Sequence, residues 1–337
     1  MLFFLRDQAL VRLLNDSRAR VSRARSNADL LEVLDRLEVF PGGLKFDQVQ
    51  SILLLVLAGA SLLAAWLLDD MGWMVWVALG CGYFSYHFRK GLSGNLTDLA
   101  QSIARKCAMF SNDLSEADSD ADWCLKRLST EFADYGRGNE RRYIVDSVRG
   151  VYQGVQYPLA FEYYHLQYVN SRIVRGAGGT NRTVYDTFDR YSLVLDFPWV
   201  KGISVQSNPL EIPLAGERLQ TNWDDFNRTF VLRGVDQANC EGFATPETLV
   251  FLMVLLRHLD KVNLEFSSQG HLCLSFDNAH VMAHADPGPL SDLPAFREQI
   301  KAGIALPGLY PVLELMHRLA ELQGGRIDSK EVQQAAS

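Results

Sequence analysis

The sequence predicts an α+β protein in which an N-terminal helical arm and a two-helix transmembrane hairpin precede a mixed, mainly antiparallel α+β cytoplasmic domain. Three observations predict it. Two uncharged apolar runs stand back to back between Ser51 and Phe88. From Arg142 the pattern changes from helical spacing to β-type alternation rich in Val, Ile, Tyr and Phe. A strand, helix and hairpin unit then fills Trp223 to Phe276. The resulting plan is a helical arm over 1–50, the hairpin over 51–88, a helical connector over 89–140, the α+β domain over 141–323 and a mobile polar tail over 324–337.

The composition, 48% apolar and 22% charged over 337 residues, is that of folded protein long enough for two domains. A net charge of -7 excludes a dedicated nucleic-acid binder, which shows a basic domain or stripe. Cys81, Cys107, Cys124, Cys240 and Cys273 lack the paired spacing of a zinc or redox site and read as reduced thiols. The apolar start Met1 to Leu5 ends at Arg6 and Asp7, too short for a secretory signal.

In the arm, Leu10, Leu13 and Leu14, then Leu30, Leu31, Leu34 and Leu37, fall at helical spacing, and Pro41, Gly42 and Gly43 stop the second helix. Arg18, Arg20, Arg23 and Arg25 concentrate charge between them. They read as a solvated helical face offset by Asp16, Asp29 and Glu32, with contact to anionic lipid headgroups as the alternative.

In the hairpin, Ser51 to Leu68 carries no charge, and a helix of that length reaches about 27 Å. Asp69 and Asp70 interrupt it, and a second uncharged run spans Met71 to Phe88. Trp66, Trp73 and Trp76 crowd the acidic turn, and Tyr83, Tyr86 and His87 the far end, as interfacial belts do. Ala60 with Ala64, and Ala78 with Gly82, supply small residues where the helices touch. Arg36 and Lys45 before the spans, and Arg89, Lys90, Arg105 and Lys106 after them, put both termini in the cytoplasm of a bacterial inner-membrane, two-pass protein.

Beyond the hairpin, helices are expected over Asn95 to Glu116 and Trp123 to Tyr135, with the acidic stretch Ser115 to Asp122 as a linker. The segments YIVDSVRGVYQG, LAFEYYHLQYV, YSLVLDFPW and GISVQS read as strands. Arg175 to Thr183 (RGAGGTNRT) is a glycine-rich hairpin connection that lacks the end of a P-loop. FNRTFVLRGVD reads as a further strand, Thr245 and Pro246 start a helix over LVFLMVLLRHLDKV, and VNLEFSS and HLCLSFD close a hairpin. After the stiff DPGPLSDLP loop, Ala295 to Ile304 and Leu309 to Gln323 read as helices, and Gly324-Gly325 releases the tail.

Trp223, Phe226, Asn227, Phe230, the turn at Asp236, Thr245-Pro246, the Leu-rich helix and Phe276 together resemble an uncharacterised bacterial membrane-protein family with a domain of unknown function (three-one-three-seven). The resemblance covers Trp223 to Phe276 and the placement of an early hairpin. It implies topology. It brings no activity, cofactor or catalytic residue.

Candidate chemistry is sparse. His280 and His284, four apart, with Asp277 and Asp286, have donor types for a metal, but no glutamate follows His280 and Pro287 stops a helix, so a polar loop is expected and no metal. Asp224 and Asp225 read as helix-capping acids rather than an acid–base pair. Ser204 and Ser275 lack a nucleophile elbow, and His165 and His258 read as partly buried structural histidines. No catalytic residue, cofactor-binding residue or cofactor is nominated. The expected function is a membrane-anchored interaction or regulatory protein whose partners are membrane lipid and a protein partner or a second copy of itself. The alternatives are a tethered enzyme or small-ligand binder using the α+β domain, and an oligomeric channel or transport component.

Overall fold

The computed structural model of the chain describes residues 2–41, 43–44, 49–67, 73–117, 120–156, 158–175, 181–207, 212 and 214–335. In chain order the elements are helices α1 (Leu2–Arg23), α2 (Asn27–Glu38), α3 (Val49–Leu67) and α4 (Met74–Ser111), then strand β1 (Ser115–Glu116) and helix α5 (Ala121–Glu131). A 3-10 turn (Ala133–Gly136) leads into β2 (Arg141–Gln153), β3 (Pro158–Arg175), β4 (Asn181–Asp196), β5 (Ile203–Gln206) and β6 (Glu217–Leu219). There follow α6 (Asp224–Thr229), β7 (Val231–Gly234), α7 (Gln237–Phe243), α8 (Pro246–Leu255), β8 (Asn263–Phe266), β9 (His271–Phe276), α9 (Leu293–Ala302) and α10 (Leu309–Ala335). They form two compact units, a helical one of 1–112 with 284–305, and a sheet unit of 113–283 with 306–337.

In the helical unit the leucine spacing of the arm has the expected consequence, since Leu10, Leu14, Leu30, Leu34 and Leu37 are all buried. Ser26 caps α2 by accepting from Asp29 N–H, while the Asp29 carboxylate reaches back to the Ser26 N–H, completing a capping box. Asp16 and Glu32 hold Arg20 and Arg36 at 2.8 Å one turn away, and Arg18 donates to Asn95. Of the arginine cluster, Arg20 is thus paired along its own helical face, and Arg18 is held by Asn95 and Asp98 of α4. On α9, Arg297 reaches Asp35 and Glu38 of α2 at 2.5 and 3.0 Å.

The transmembrane expectation is corrected by α3 and α4. These helices pack against each other, as the two runs predict. Yet α3 starts on Val49, Gln50 and Ser51, so its apolar stretch from Ile52 to Leu67 reaches about 24 Å, short of a hydrocarbon core of about 30 Å. Nor does α4 end near Phe88. It continues through Arg89 and Lys90 to Ser111 as one helix whose later turns are amphipathic, with Leu99, Ile103 and Cys107 buried and Asp98, Arg105 and Lys106 among its charged residues. Among the described residues no helix is long and apolar enough to cross a membrane. That finding overturns the transmembrane hairpin at 51–88, the two-pass inner-membrane placement and the assignment of both termini to the cytoplasm. An uncharged run of about 18 residues is at the short limit of the spanning range, so freedom from charge was too weak a criterion. Trp66, Trp73 and Trp76 are exposed side chains, as are Leu53, Val56 and Leu63. The acidic turn at Asp69 and Asp70 lies outside the described residues.

The sheet unit carries the β-rich half. Its strands run in the order β1-β2-β3-β4-β9-β8-β5-β7-β6, and every pairing is antiparallel. Alternation sorts the side chains onto two faces. One face is apolar: Phe161, Leu195, Leu272, Phe266 and Ile203 form one rung, and Tyr163, Leu193, Leu274, Leu264 and Val205 the next, all buried. α7 approaches this sheet so closely that a Cβ on Gly234 would stand 2.3 Å from Cys240 Sγ. All five cysteines are free thiols.

One predicted strand is replaced. Over FNRTFVLRGVD the chain first makes the short helix α6, in which Phe226 is buried, and only Val231 to Gly234 pairs in the sheet. Asn227 explains the helix, since its side chain bonds the backbone of Thr221 in both directions and ties the turn before it. The start of α8 is as expected, with Pro246 in the first turn and Thr245 Oγ1 accepting from Thr248 N–H at 3.3 Å. Thr245→Ala is expected to lower the unfolding free energy by about 1 kcal/mol, measured by urea titration. α10 continues through Gly324 and Gly325 to Ala335.

Candidate functional site

The second face of the same sheet is polar, and this is where ionisable groups gather. Glu162, Val194, Cys273, Glu265 and Ser204 form one rung across β3, β4, β9, β8 and β5, and Tyr164, Ser192, Ser275, Asn263 and Gln206 form the next. Such a face must be covered by groups that satisfy it, because a buried polar atom without a partner costs about 1–3 kcal/mol. The cover is α5 and the 3-10 turn. Cys124, Leu128, Phe132 and Tyr135 pack on Tyr164, Leu166, Val194 and Cys273, and the Tyr135 hydroxyl meets Ser192 Oγ.

Asp134 fastens the turn to the sheet. Its Oδ2 accepts from Arg190 Nε at 2.9 Å, and its Oδ1 accepts from Arg137 Nε at 2.9 Å and from Asn263 Nδ2 at 3.2 Å. Arg190 also donates from Nη1 to Asp277 Oδ1 at 2.8 Å, and Lys261 Nζ lies 2.9 Å from the other oxygen of Asp277. Burial alone would push the Asp134 carboxyl up. The charges of Arg190 and Arg137, with their hydrogen bonds, outweigh it and hold the pKa down at about 2.

Glu265 does the opposite. Its two oxygens accept the N–H groups of Ala133 at 2.6 Å and Asp134 at 2.9 Å, so it too clamps the turn. Burial first, and the neighbouring Asp134 charge second, raise its pKa to about 7 in spite of those bonds. The two carboxyls thus differ in charge state near neutrality, which is the electrical logic of many acid–base sites. Here both are fully engaged with the protein, and the pair is a fastening.

The open part of the polar face lies beside α5. A cleft of about 630 Å³ is bounded by Arg127, Arg149, Glu162, Asp196 and His271, over a floor that includes Val151, Ala160 and Val194. Two rungs explain it. Arg149 stands opposite Glu162, Val151 opposite Ala160, and Asp196 opposite His271, so small side chains separate two charged groups. The rim is held in place: Arg127 Nη2 donates to Glu162 Oε2 at 2.7 Å and to the Tyr164 hydroxyl at 2.8 Å, while Arg149 Nε donates to Ser115. His271 Nδ1 is 2.5 Å from the buried Glu131, and its Nε2 is 3.6 Å from Asp196.

Of the residues singled out in the sequence, Asp277 joins the ion network and Ser204 and Ser275 lie on the polar face. Ser275 Oγ lies 3.4 Å from Cys273 Sγ. Asp225 pairs with Arg228, and His165 with Asp189 at 2.8 Å. His280 sits in a 3-10 turn (Ala279–Met282), His284 Nδ1 faces the Ala285 carbonyl, and Asp286 accepts from Gly288 N–H. The loop glycines from Gly176 to Gly179 lie outside the described residues. Among the described residues no group of three or more His, Cys, Asp or Glu side chains is placed to hold a metal ion.

Sequence reading missed Asp134, Arg190 and Glu265 as a cluster, and Arg127, Arg149 and His271 as a rim. One signal was present: Glu162 and Glu265 interrupt otherwise apolar strands, LAFEYY and VNLEF, where an acid needs a partner. No family model matches the chain, and neither a curated protein nor a solved structure does.

Proposed function

We propose that the sheet unit is a binding and regulatory module, and that its cleft beside α5 takes a small polar organic molecule bearing both an acidic and a basic group. The observation that carries this reading is the arrangement of the rim. Arginines and carboxylates face a common floor of small apolar side chains, and internal hydrogen bonds already fix their positions. Groups held in advance lose little entropy when a ligand arrives. The volume lies within the range of small-molecule sites, about 300–1,000 Å³. A zwitterion complements such a lining, whereas a polyanion would meet Glu162 and Asp196 and a polycation would meet the arginines.

Thermal unfolding of the full chain with amino acids, dicarboxylates and diamines tests it. A ligand at 100 times its Kd stabilises by about 2.7 kcal/mol, a shift easily read. Arg149→Met, a substitution near the edge of the sheet, should abolish the zwitterion's shift while leaving the unliganded melting temperature nearly unchanged. If no zwitterion moves the transition, or if Arg149→Met binds as well as the parent, the reading fails.

A further inference from the structure

The longest unpaired backbone edge in the sheet unit points to a second copy of this chain. β4 is bonded to β3 over its whole length, Asn181 to Asp196, but to β9 only from Tyr191 onward. From Asn181 to Arg190 no strand among the described residues pairs with the other edge. Ten residues of strand extend about 34 Å, and alternate residues direct their N–H and C=O groups outward. The stretch holds neither proline nor lysine, β3 and β4 pair there without a register shift, and its charges Arg182 and Asp186 are of opposite sign, so they can match a second copy rather than repel it. Tyr185 and Phe188 are exposed, at 63% and 42%.

We infer that two chains associate through this edge, β4 pairing antiparallel with the partner's β4 about a two-fold axis at Val184. The register follows from geometry and charge. A two-fold axis perpendicular to a sheet keeps each side chain on its own face, so only residues of the same parity can be directly opposed. Centring on Asp186 sets that carboxylate against its own copy, and Arg182 against Arg190. Centring on Tyr185 sets Arg182 against Phe188. Centring on Thr187 sets Asp186 against Phe188, and centring on Phe188 requires Arg190, whose guanidinium is committed to Asp134 and Asp277. At Val184 the match is good: Arg182 opposes Asp186 twice, Thr183 opposes Tyr185 and Val184 packs on itself. Arg172 of β3 already holds Asp186 at 2.7 Å on the same face, so each Asp186 would lie between two guanidinium groups. Cross-strand pairs of this kind add to the backbone hydrogen bonds of the joined edges.

Sedimentation velocity of the full chain, with disulfide trapping as the site-specific readout, tests the inference. The parent should sediment as a dimer, and Val184→Cys should crosslink under mild oxidation, giving by mass spectrometry a pair of identical peptides joined through the substituted position. Arg182→Asp and Asp186→Arg should each weaken dimerisation by about tenfold or more, since an attraction becomes a like-charge contact twice over. The double variant, in which the charges are exchanged, should recover part of it relative to Asp186→Arg although Arg172 loses its own acid, an outcome that a folding defect cannot produce. A monomeric parent, a dimer indifferent to both single variants, or a failure of the double variant to recover would overturn it.

Discussion

Arg190→Met is expected to lower the unfolding free energy by about 3–5 kcal/mol, because it leaves the buried Asp134 carboxylate with fewer cations than it needs. Both side chains are only 2% exposed, so water cannot replace the lost partner. The guanidinium also spans two acids, Asp134 through Nε and Asp277 through Nη1, and that fork is the reason for arginine here. Arg190→Lys should therefore recover only part of the loss, since one ammonium cannot reproduce both contacts. A double-mutant cycle separates the ion pair from packing. If Asp134→Asn and Arg190→Met act through one interaction, the double variant should be more stable than the sum of the two losses predicts, by about 1 kcal/mol or more. Strict additivity in urea unfolding would show that the cluster is not an energetic unit.

Much of this architecture was readable because it depends on local pattern. Leucine spacing located α1 and α2, the Thr245-Pro246 pair located α8, and alternation located β2, β3, β8 and β9. Composition could not settle the membrane question. An apolar helix is written in the same residues whether it spans a bilayer or packs beside another helix, and the deciding fact is that among the described residues no helix is long and apolar enough to cross a membrane. Nor could local pattern reveal the ion cluster. Asp134 follows α5, Arg190 belongs to β4, Glu265 to β8 and Asp277 follows β9, so their meeting depends on strand order. The reversal at Asn227 was equally hidden, since apolar and aromatic residues around Phe226 and Phe230 suit a strand as well as a short helix. Side-chain bonds to Thr221 decide it.

Glu265 serves as an internal pH reporter of the fold. In the unfolded chain it titrates near its ordinary 4.5, and in the fold near 7. Between those values the folded state keeps a proton that the unfolded state has lost, so rising pH favours unfolding. The stabilisation is present in full below about 4.5 and is lost as pH rises through about 7, and at 1.36 kcal/mol per unit it amounts to about 3 kcal/mol. Asp134 acts in the opposite sense: its pKa falls from 3.8 to about 2, so its contribution is present above 3.8 and disappears as acid carries the pH through 2. The groups facing Glu265 are Asp134, Arg137 and the buried Cys273 thiol, and Arg137 stays charged throughout the window. Urea titrations at pH 5 and pH 8 on the parent and on Glu265→Gln isolate the effect, because other carboxyls titrate alike in both. The parent should lose about 2.5 kcal/mol more than the variant between the two conditions. Glu265→Gln places an amide N–H where one oxygen accepted a backbone N–H, so it should be the less stable protein at pH 5, yet the flatter of the two with pH. Parallel pH profiles for the two proteins would mean that Glu265 is already ionised in the fold at pH 5.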